Sequence, residues 1–393
     1  MRQRLPLSVG HITAAMVALL VSYGSSAVVV YQAASVFNPS AAELASWFWA
    51  LAIGCGVGSI ALSLKYKVPI LLAWSTPGAA LIIASVSGVS MPAAIGAFMF
   101  AAALMVLFGV TGWFEWITKS IPSSLAAAML SGVLLKFGTD IFLAMQEQTI
   151  MVCLMLAVFL LSKIRLPRYS IILMMATGLI YASAVGLFKV NNIEWGFSLP
   201  VLMMPSLDIQ ALISVGLPLF IVTMATQNIP GIAILRSHGY EVPASMVMTK
   251  VGVISLILAP FGSFMVNLAA ISAAICMGPD VDKDPSRRYM AAVWAGVGYV
   301  FLAFLGGSVV SLFATMPPIL VMALAGLALL ATIGANLSTA LADHQNLDSV
   351  VLTVLMTASG VSFFEIGSAF WGLLLGLLVY HANRYLRRRR RED

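Results

Sequence analysis

Pro69-Ile-Leu-Leu-Ala-Trp-Ser-Thr-Pro-Gly-Ala-Ala-Leu-Ile-Ile-Ala-Ser85 is an apolar run that breaks in its middle. Pro77 has no N–H and biases Thr76 toward an extended backbone. The run therefore reads as extended chain to about Trp74, then a helix with Thr76 as N-cap and Pro77 at N1. A second broken run, Pro260-Phe-Gly-Ser-Phe-Met-Val-Asn-Leu-Ala-Ala-Ile-Ser-Ala-Ala-Ile-Cys276, occupies the corresponding place in the other half of the chain. There Asn267 is the N-cap candidate, and Leu268-Ala269-Ala270 would open the helix. Non-helical backbone survives at membrane depth only where it is buried in protein or lines a cavity. Two interrupted spans at matching positions are the best sequence pointer to a transporter's binding site.

The rest of the chain supplies the membrane. Its 393 residues are 61% hydrophobic and only 9% charged, with a mean hydropathy of +1.01, which excludes a soluble domain. Apolar spans are expected at 11–34, 44–64, 69–85, 92–113, 122–139, 148–163, 169–188, 209–233, 244–259, 261–278, 290–312, 318–340, 347–359 and 363–383. The first run follows Arg2 and Arg4 as a secretory leader would, but lacks a convincing cleavage site and reads as a retained span. With fourteen spans, eighteen of the 21 Lys and Arg residues fall on one side and only Lys136 and Lys189 on the other, with Lys250 left inside the ninth span. That sorting places both termini in the cytoplasm. It also explains the net charge of +6 without nucleic acid, and makes 387–393 a basic tail that attracts anionic lipid.

The halves repeat. Ile121-Pro122-Ser-Ser-Leu-Ala-Ala-Ala-Met-Leu130 is echoed by Met316-Pro317-Pro-Ile-Leu-Val-Met-Ala-Leu-Ala325. An odd number of spans per repeat turns the second copy upside down. The expected fold is an all-α polytopic membrane protein with fourteen segments in a seven-plus-seven inverted repeat. The first repeat covers 1–190 and the second 205–386, and segments 3 and 10 are broken.

Two helix starts converging at mid-depth make an anion site. The expected N–H donors are Gly78 and Ala79 from one half and Ala269 and Ala270 from the other, beside the Thr76 hydroxyl and the Asn267 amide. Trp74 and Phe264 flank this point, and small residues around it leave room for a flat ring. Polar clusters in spans one and eight add Tyr23, Ser25, Gln227 and Asn228. Gln227 and Asn228 cannot face lipid cheaply. They either bind substrate or hydrogen-bond the frayed backbone near Pro230 and the broken spans. Lys136 and Asp140, four residues apart, are expected to pair as a gating contact, and Glu365 lies at the start of the last span. The three cysteines read as packing residues, and the scattered histidines form no metal constellation. No cofactor motif and no catalytic motif is present.

Once these residues are laid out, the chain resembles the benzoate:proton symporter family. The carriers are Ser22-Tyr-Gly-Ser-Ser-Ala27 with Tyr31-Gln-Ala-Ala34, Val68-Pro-Ile-Leu-Leu-Ala-Trp-Ser-Thr-Pro-Gly-Ala-Ala80, and Thr223-Met-Ala-Thr-Gln-Asn228. Ala270-Ile-Ser-Ala-Ala-Ile-Cys276 and Gly367-Ser-Ala-Phe-Trp-Gly372 complete them. The resemblance implies the uracil-transporter and sulfate-permease architecture. There a core domain (segments 1–4 and 8–11) moves against a gate domain (segments 5–7 and 12–14). It also implies proton-coupled uptake of benzoate or a similar aromatic acid across a bacterial inner membrane, and leaves a homodimer open. Nucleobase carriers of this architecture place acids where this chain has Gln227, Asn228 and Asn267, which favours an anionic substrate. Another small anion, a nucleobase, and an uncoupled anion channel are the alternatives. Asp140 and Glu365 are the candidate proton carriers.

Overall fold

The computed structural model describes residues 8–85, 88–113, 122–188, 195–364 and 366–389. Glu365, Lys119 and Lys189 lie outside the described residues, as does the side chain of Ser25. The first half holds α1 (Val9–Ser35), α2 (Ala41–Tyr66), β1 (Leu72–Trp74), α3 (Thr76–Ser85), α4 (Met91–Val110), α5 (Ser123–Glu147), α6 (Thr149–Arg165) and α7 (Ser170–Ala184). The second holds α8 (Ile209–Ser237), α9 (Ala244–Leu258), β2 (Val266–Leu268), α10 (Ile271–Ile275), α11 (Tyr289–Phe304), α12 (Gly306–Thr315), α13 (Pro318–Leu341), α14 (Leu347–Ala358) and α15 (Ser368–Arg389). Among the described residues, seven helices are long and apolar enough to cross a membrane alone. Large apolar side chains such as Ile180 (70% exposed) and Phe301 (65%) point outward, a surface that only lipid satisfies.

The helices pack in partnerships. α11 lies along α2, α9 along α4, and α1 against α11; separately, α13 lies along α5, α14 against α5 and α15, and α6 against α7. Glycine allows the tightest approach. A Cβ on Gly56 would stand 2.7 Å from the Gly296 carbonyl oxygen, and one on Gly296 2.7 Å from that of Gly56. Backbones that meet this closely gain dispersion contact that larger residues would forbid.

Two features depart from the sequence reading. The expected span 290–312 is two helices bent by 64° at Leu305. Gly306 and Gly307 start the second helix where the incoming chain crosses it, and Gly196 N–H donates to Ser308 Oγ at 3.2 Å. That incoming chain, residues 195–208, is an extended strap between the halves. Its N–H groups reach Phe304 O from Ser198, Ser46 Oγ from Val201, Pro260 O from Met203 and Pro92 O from Ser206. The second departure lies inside α8, which widens to π-helix at Leu212–Gly216 and again at Met224–Asn228. Each wide turn lies just before a proline, Pro218 or Pro230. A proline ring collides with the carbonyl four residues back and cannot donate to it, and widening the turn relieves both faults.

Candidate functional site

β1 and β2 come from opposite halves and pair antiparallel, Leu72 with Leu268, Ala73 with Asn267 and Trp74 with Val266. A two-stranded ribbon leaves its outer N–H groups unpaired, a cost of several kcal/mol each at membrane depth. Side-chain oxygens from neighbouring helices meet them. On the β1 side, Leu72 N–H donates to Ser59 Oγ at 2.8 Å and Ile70 N–H to Ser63 Oγ at 3.1 Å. On the β2 side, Val266 N–H donates to Ser255 Oγ at 3.1 Å and Leu268 N–H to Asn228 Oδ1 at 3.0 Å. The lone serines of α2 and α9 were the missed signal. A hydroxyl in an otherwise apolar span needs a partner, and here the partner is strand backbone.

Asn228 therefore takes the second of its two expected roles. Its amide nitrogen lies 3.4 Å from both Met105 Sδ and Met224 Sδ, and the side chain is fully buried. Gln227, one residue earlier on the same wide turn, is half-buried instead.

The caps differ from expectation. Ser75, not Thr76, caps α3: Gly78 N–H donates to Ser75 Oγ at 3.0 Å and Ala79 N–H to Ser75 O at 2.8 Å. Ser75 holds this place because its own N–H donates to Met265 O at 3.1 Å, which makes it the last residue tied to the ribbon. Asn267 is not a cap but the middle of β2. With its amide oriented to suit its neighbours, it donates to Ala73 O and Leu268 O and accepts from Ser75 N–H, each at 3.2 Å. α10 begins later than expected, at Ile271, and no side chain caps it. Ala269 N–H belongs to the ribbon, donating to Leu71 O at 2.9 Å.

Three of the four expected donors, those of Gly78, Ala79 and Ala269, are thus engaged within the protein. The two helix starts are unequal. Where the first half has Ser75 after its strand, the second has Ala269 and Ala270 and no hydroxyl to offer. No side chain closes the start of α10, while Ser75 closes that of α3.

Burial sorts the remaining candidates. Tyr23, Thr76, Gln227 and Ala270 keep accessible surface. Trp74 is packed, its indole N–H donating to Ser26 Oγ at 2.7 Å and its ring edge-on to Tyr23 and Tyr299 at 5.0 and 5.9 Å. Phe264 packs with Trp47 and Phe98. A Cβ on Gly78 would stand 2.6 Å from Leu219 Cδ1, so this glycine serves the contact of α3 with α8. Lys136 is exposed, and the expected pair with half-buried Asp140 is not an ion pair among the described residues. Lysine placed N-terminal to its acid is the poorer order on a helix. A cleft of 690 Å³, lined by Pro122, Ser123, Ser124, Ser338, Thr339, Ala342 and Asp343, opens at the ends of α5 and α13 rather than at the ribbon. The ribbon remains the better candidate, because there the two broken runs of the halves meet and interrupt buried helical spans.

Known proteins place this arrangement. Solved structures share the fold: SLC26A9 (TM-score 0.66, 13% identity, 96% of this chain and 66% of that one) and the transmembrane domain of a cyanobacterial bicarbonate transporter, BicA (TM-score 0.61, 13% identity, 94% and 96%). In sequence the chain is 41% identical to the inner membrane protein YdcO of Escherichia coli K12, covering 93% of this chain and 94% of that one. It is 35% identical to the benzoate membrane transport protein of Acinetobacter baylyi, covering 93% of each. The family profile described as benzoate membrane transport protein matches residues 6–382, and the chain belongs to that family of membrane transporters.

Proposed function

We propose that this protein takes up benzoate or a similar aromatic carboxylate together with protons, by alternating access. The observation that carries the reading is the antiparallel ribbon joining the halves, with accessible Thr76 and Ala270 where its strands lead into helices. The carboxylate is placed at the start of α10, which no side chain caps, and at the Thr76 hydroxyl. The ring lies toward Tyr23 and Gln227. α10 has only five residues, so hydrogen bonds from its first backbone N–H groups, rather than a summed helix dipole, would hold the charge.

The topology proposed is fourteen segments in an inverted repeat, with both termini cytoplasmic. The packing supports it: exchanging the halves turns the α2–α11 partnership into α9–α4, α6–α7 into α14–α15, and the ribbon into itself. α1–α4 and α8–α12 form the proposed core, and α5–α7 and α13–α15 the proposed gate. Asp140, half-buried on α5, is the proposed proton carrier among the described residues.

Labelled benzoate in proteoliposomes tests the function. Concentrative uptake driven by an inward proton gradient is expected, and equilibration that ignores the gradient would mean an uncoupled channel. Benzamide should compete at least tenfold worse than benzoate. A hydrogen bond to a charged acceptor exceeds a neutral one by about 1.4 kcal/mol, a factor of ten. Bicarbonate competing as well as benzoate would favour the second reading, a carrier of another small anion. The fold shared with anion carriers motivates that reading.

A further inference from the structure

At the end of α2, lysines gather around a tyrosine with no acid among their partners in the described residues. Lys250 of α9 donates from Nζ to Tyr66 Oη at 2.8 Å and lies 4.6 Å from the centre of that ring. Lys65 Nζ lies 5.9 Å from the same centre, close enough to Lys250 for each charge to act on the other. Lys67, two residues on, stands 4.7 Å above the Tyr289 ring. The ion pairs of the described residues are His11 with Asp282 and Arg287 with Asp284, so none of these three lysines has a carboxylate of a described residue in contact. Two adjacent ammonium groups over one ring repel each other, and an anion between them would relieve the repulsion.

The surroundings say what kind of anion. On α9, Met246, Lys250, Val253 and Ile257 recur at helical spacing on one stripe, and Met246 and Ile257 are 59% and 63% exposed. On α2, exposed Val57 and Leu64 lead along the helix to Lys65. α2 and α9 touch, and Tyr66 Oη reaches Met246 Sδ at 3.9 Å. The lysines thus cap an apolar seam that faces outward. The charge sorting places this end of the seam at the cytoplasmic surface, where anionic lipids concentrate. A free anion would have no use for the seam below the charges, whereas a phospholipid fills both.

We propose that Lys65, Lys250 and Tyr66 bind the phosphate of an anionic phospholipid of the cytoplasmic leaflet, with its acyl chains in the α2–α9 seam. The proposal is independent of the substrate assigned to the ribbon.

Native mass spectrometry of the full chain tests it, with phosphatidylglycerol, phosphatidylcholine and inorganic phosphate as separate probes. The wild type should retain phosphatidylglycerol through delipidation, and Lys65→Gln/Lys250→Gln should retain one molecule fewer. Thermal unfolding in detergent should shift upward with phosphatidylglycerol and not with phosphatidylcholine, and the double variant should lose that shift. If the double variant does not fold, Lys65→Glu alone, at an exposed position, should abolish the shift. Equal retention by wild type and variant, equal shifts with the two lipids, or a shift with inorganic phosphate matching that of phosphatidylglycerol would each overturn the proposal.

Discussion

Ser75 and Thr76 are neighbours with the same hydroxyl chemistry, yet they stand in different places. Ser75 closes a helix start and ties it to the ribbon, and its hydroxyl lies 3.0 Å from that of Thr223 on α8. Thr76 keeps accessible surface. Ser75→Ala should therefore lower stability by about 1 kcal/mol, the size of a lost cap, read as a lower thermal midpoint. Thr76→Ala should leave the midpoint nearly unchanged and raise the benzoate concentration for half-maximal uptake about fivefold. The reverse pattern would move the proposed site away from Thr76. Sequence alone could not separate the two residues. Either can cap a helix that begins near Pro77, and the choice is made by the bond from Ser75 N–H to Met265 O, nearly two hundred residues along the chain. The same distance hid the role of Asn267, whose polarity was visible but whose strand partner was not.

At the scale of elements, the broken runs were legible because proline and glycine act locally. β1 and α3 fall where Trp74 and Thr76-Pro77 put them. α10 does not fall where Asn267 put it, because pairing with β1 claims Val266 to Leu268 for the strand. The wide turns of α8 had a visible cause in Pro218 and Pro230, although nothing local says that a helix answers a proline by widening rather than by kinking. The second wide turn directs Asn228 to Leu268 N–H and leaves Gln227 on the accessible side. Pro230→Ala restores an N–H that can draw the turn back to α-helical spacing. The expected result is a folded protein with unchanged or higher thermal stability and uptake reduced several-fold. Uptake equal to wild type would show that the turn's width does not matter to function.

The whole molecule is two halves tied at the ribbon and by the strap of residues 195–208. The charge count behind the proposed orientation rests on side chains scattered along the entire chain, so an orientation can be proposed before any contact is known. Phe197, 84% exposed on the strap, and Lys283, exposed in the loop between α10 and α11, should face opposite sides of the membrane. Single cysteines at these two positions, labelled from outside intact cells by a membrane-impermeant thiol reagent, should react at 197 and stay silent at 283. Labelling of both or of neither would refute the inverted arrangement.

The ribbon also sets a timetable for biosynthesis. Ala73 and Asn267 pair directly, but the ribosome adds about 190 residues between them. At roughly 5–20 residues per second, the first strand waits on the order of 10–40 s for its partner. Ser59 and Ser63 can hold one edge of β1 during that interval, since α2 is made just before it. The other edge has nothing to bond until the second half arrives. A nascent chain released after residue 205 should therefore insert but be cleared quickly by membrane proteases. Supplying residues 206–393 as a separate polypeptide should lengthen its half-life in a pulse–chase measurement.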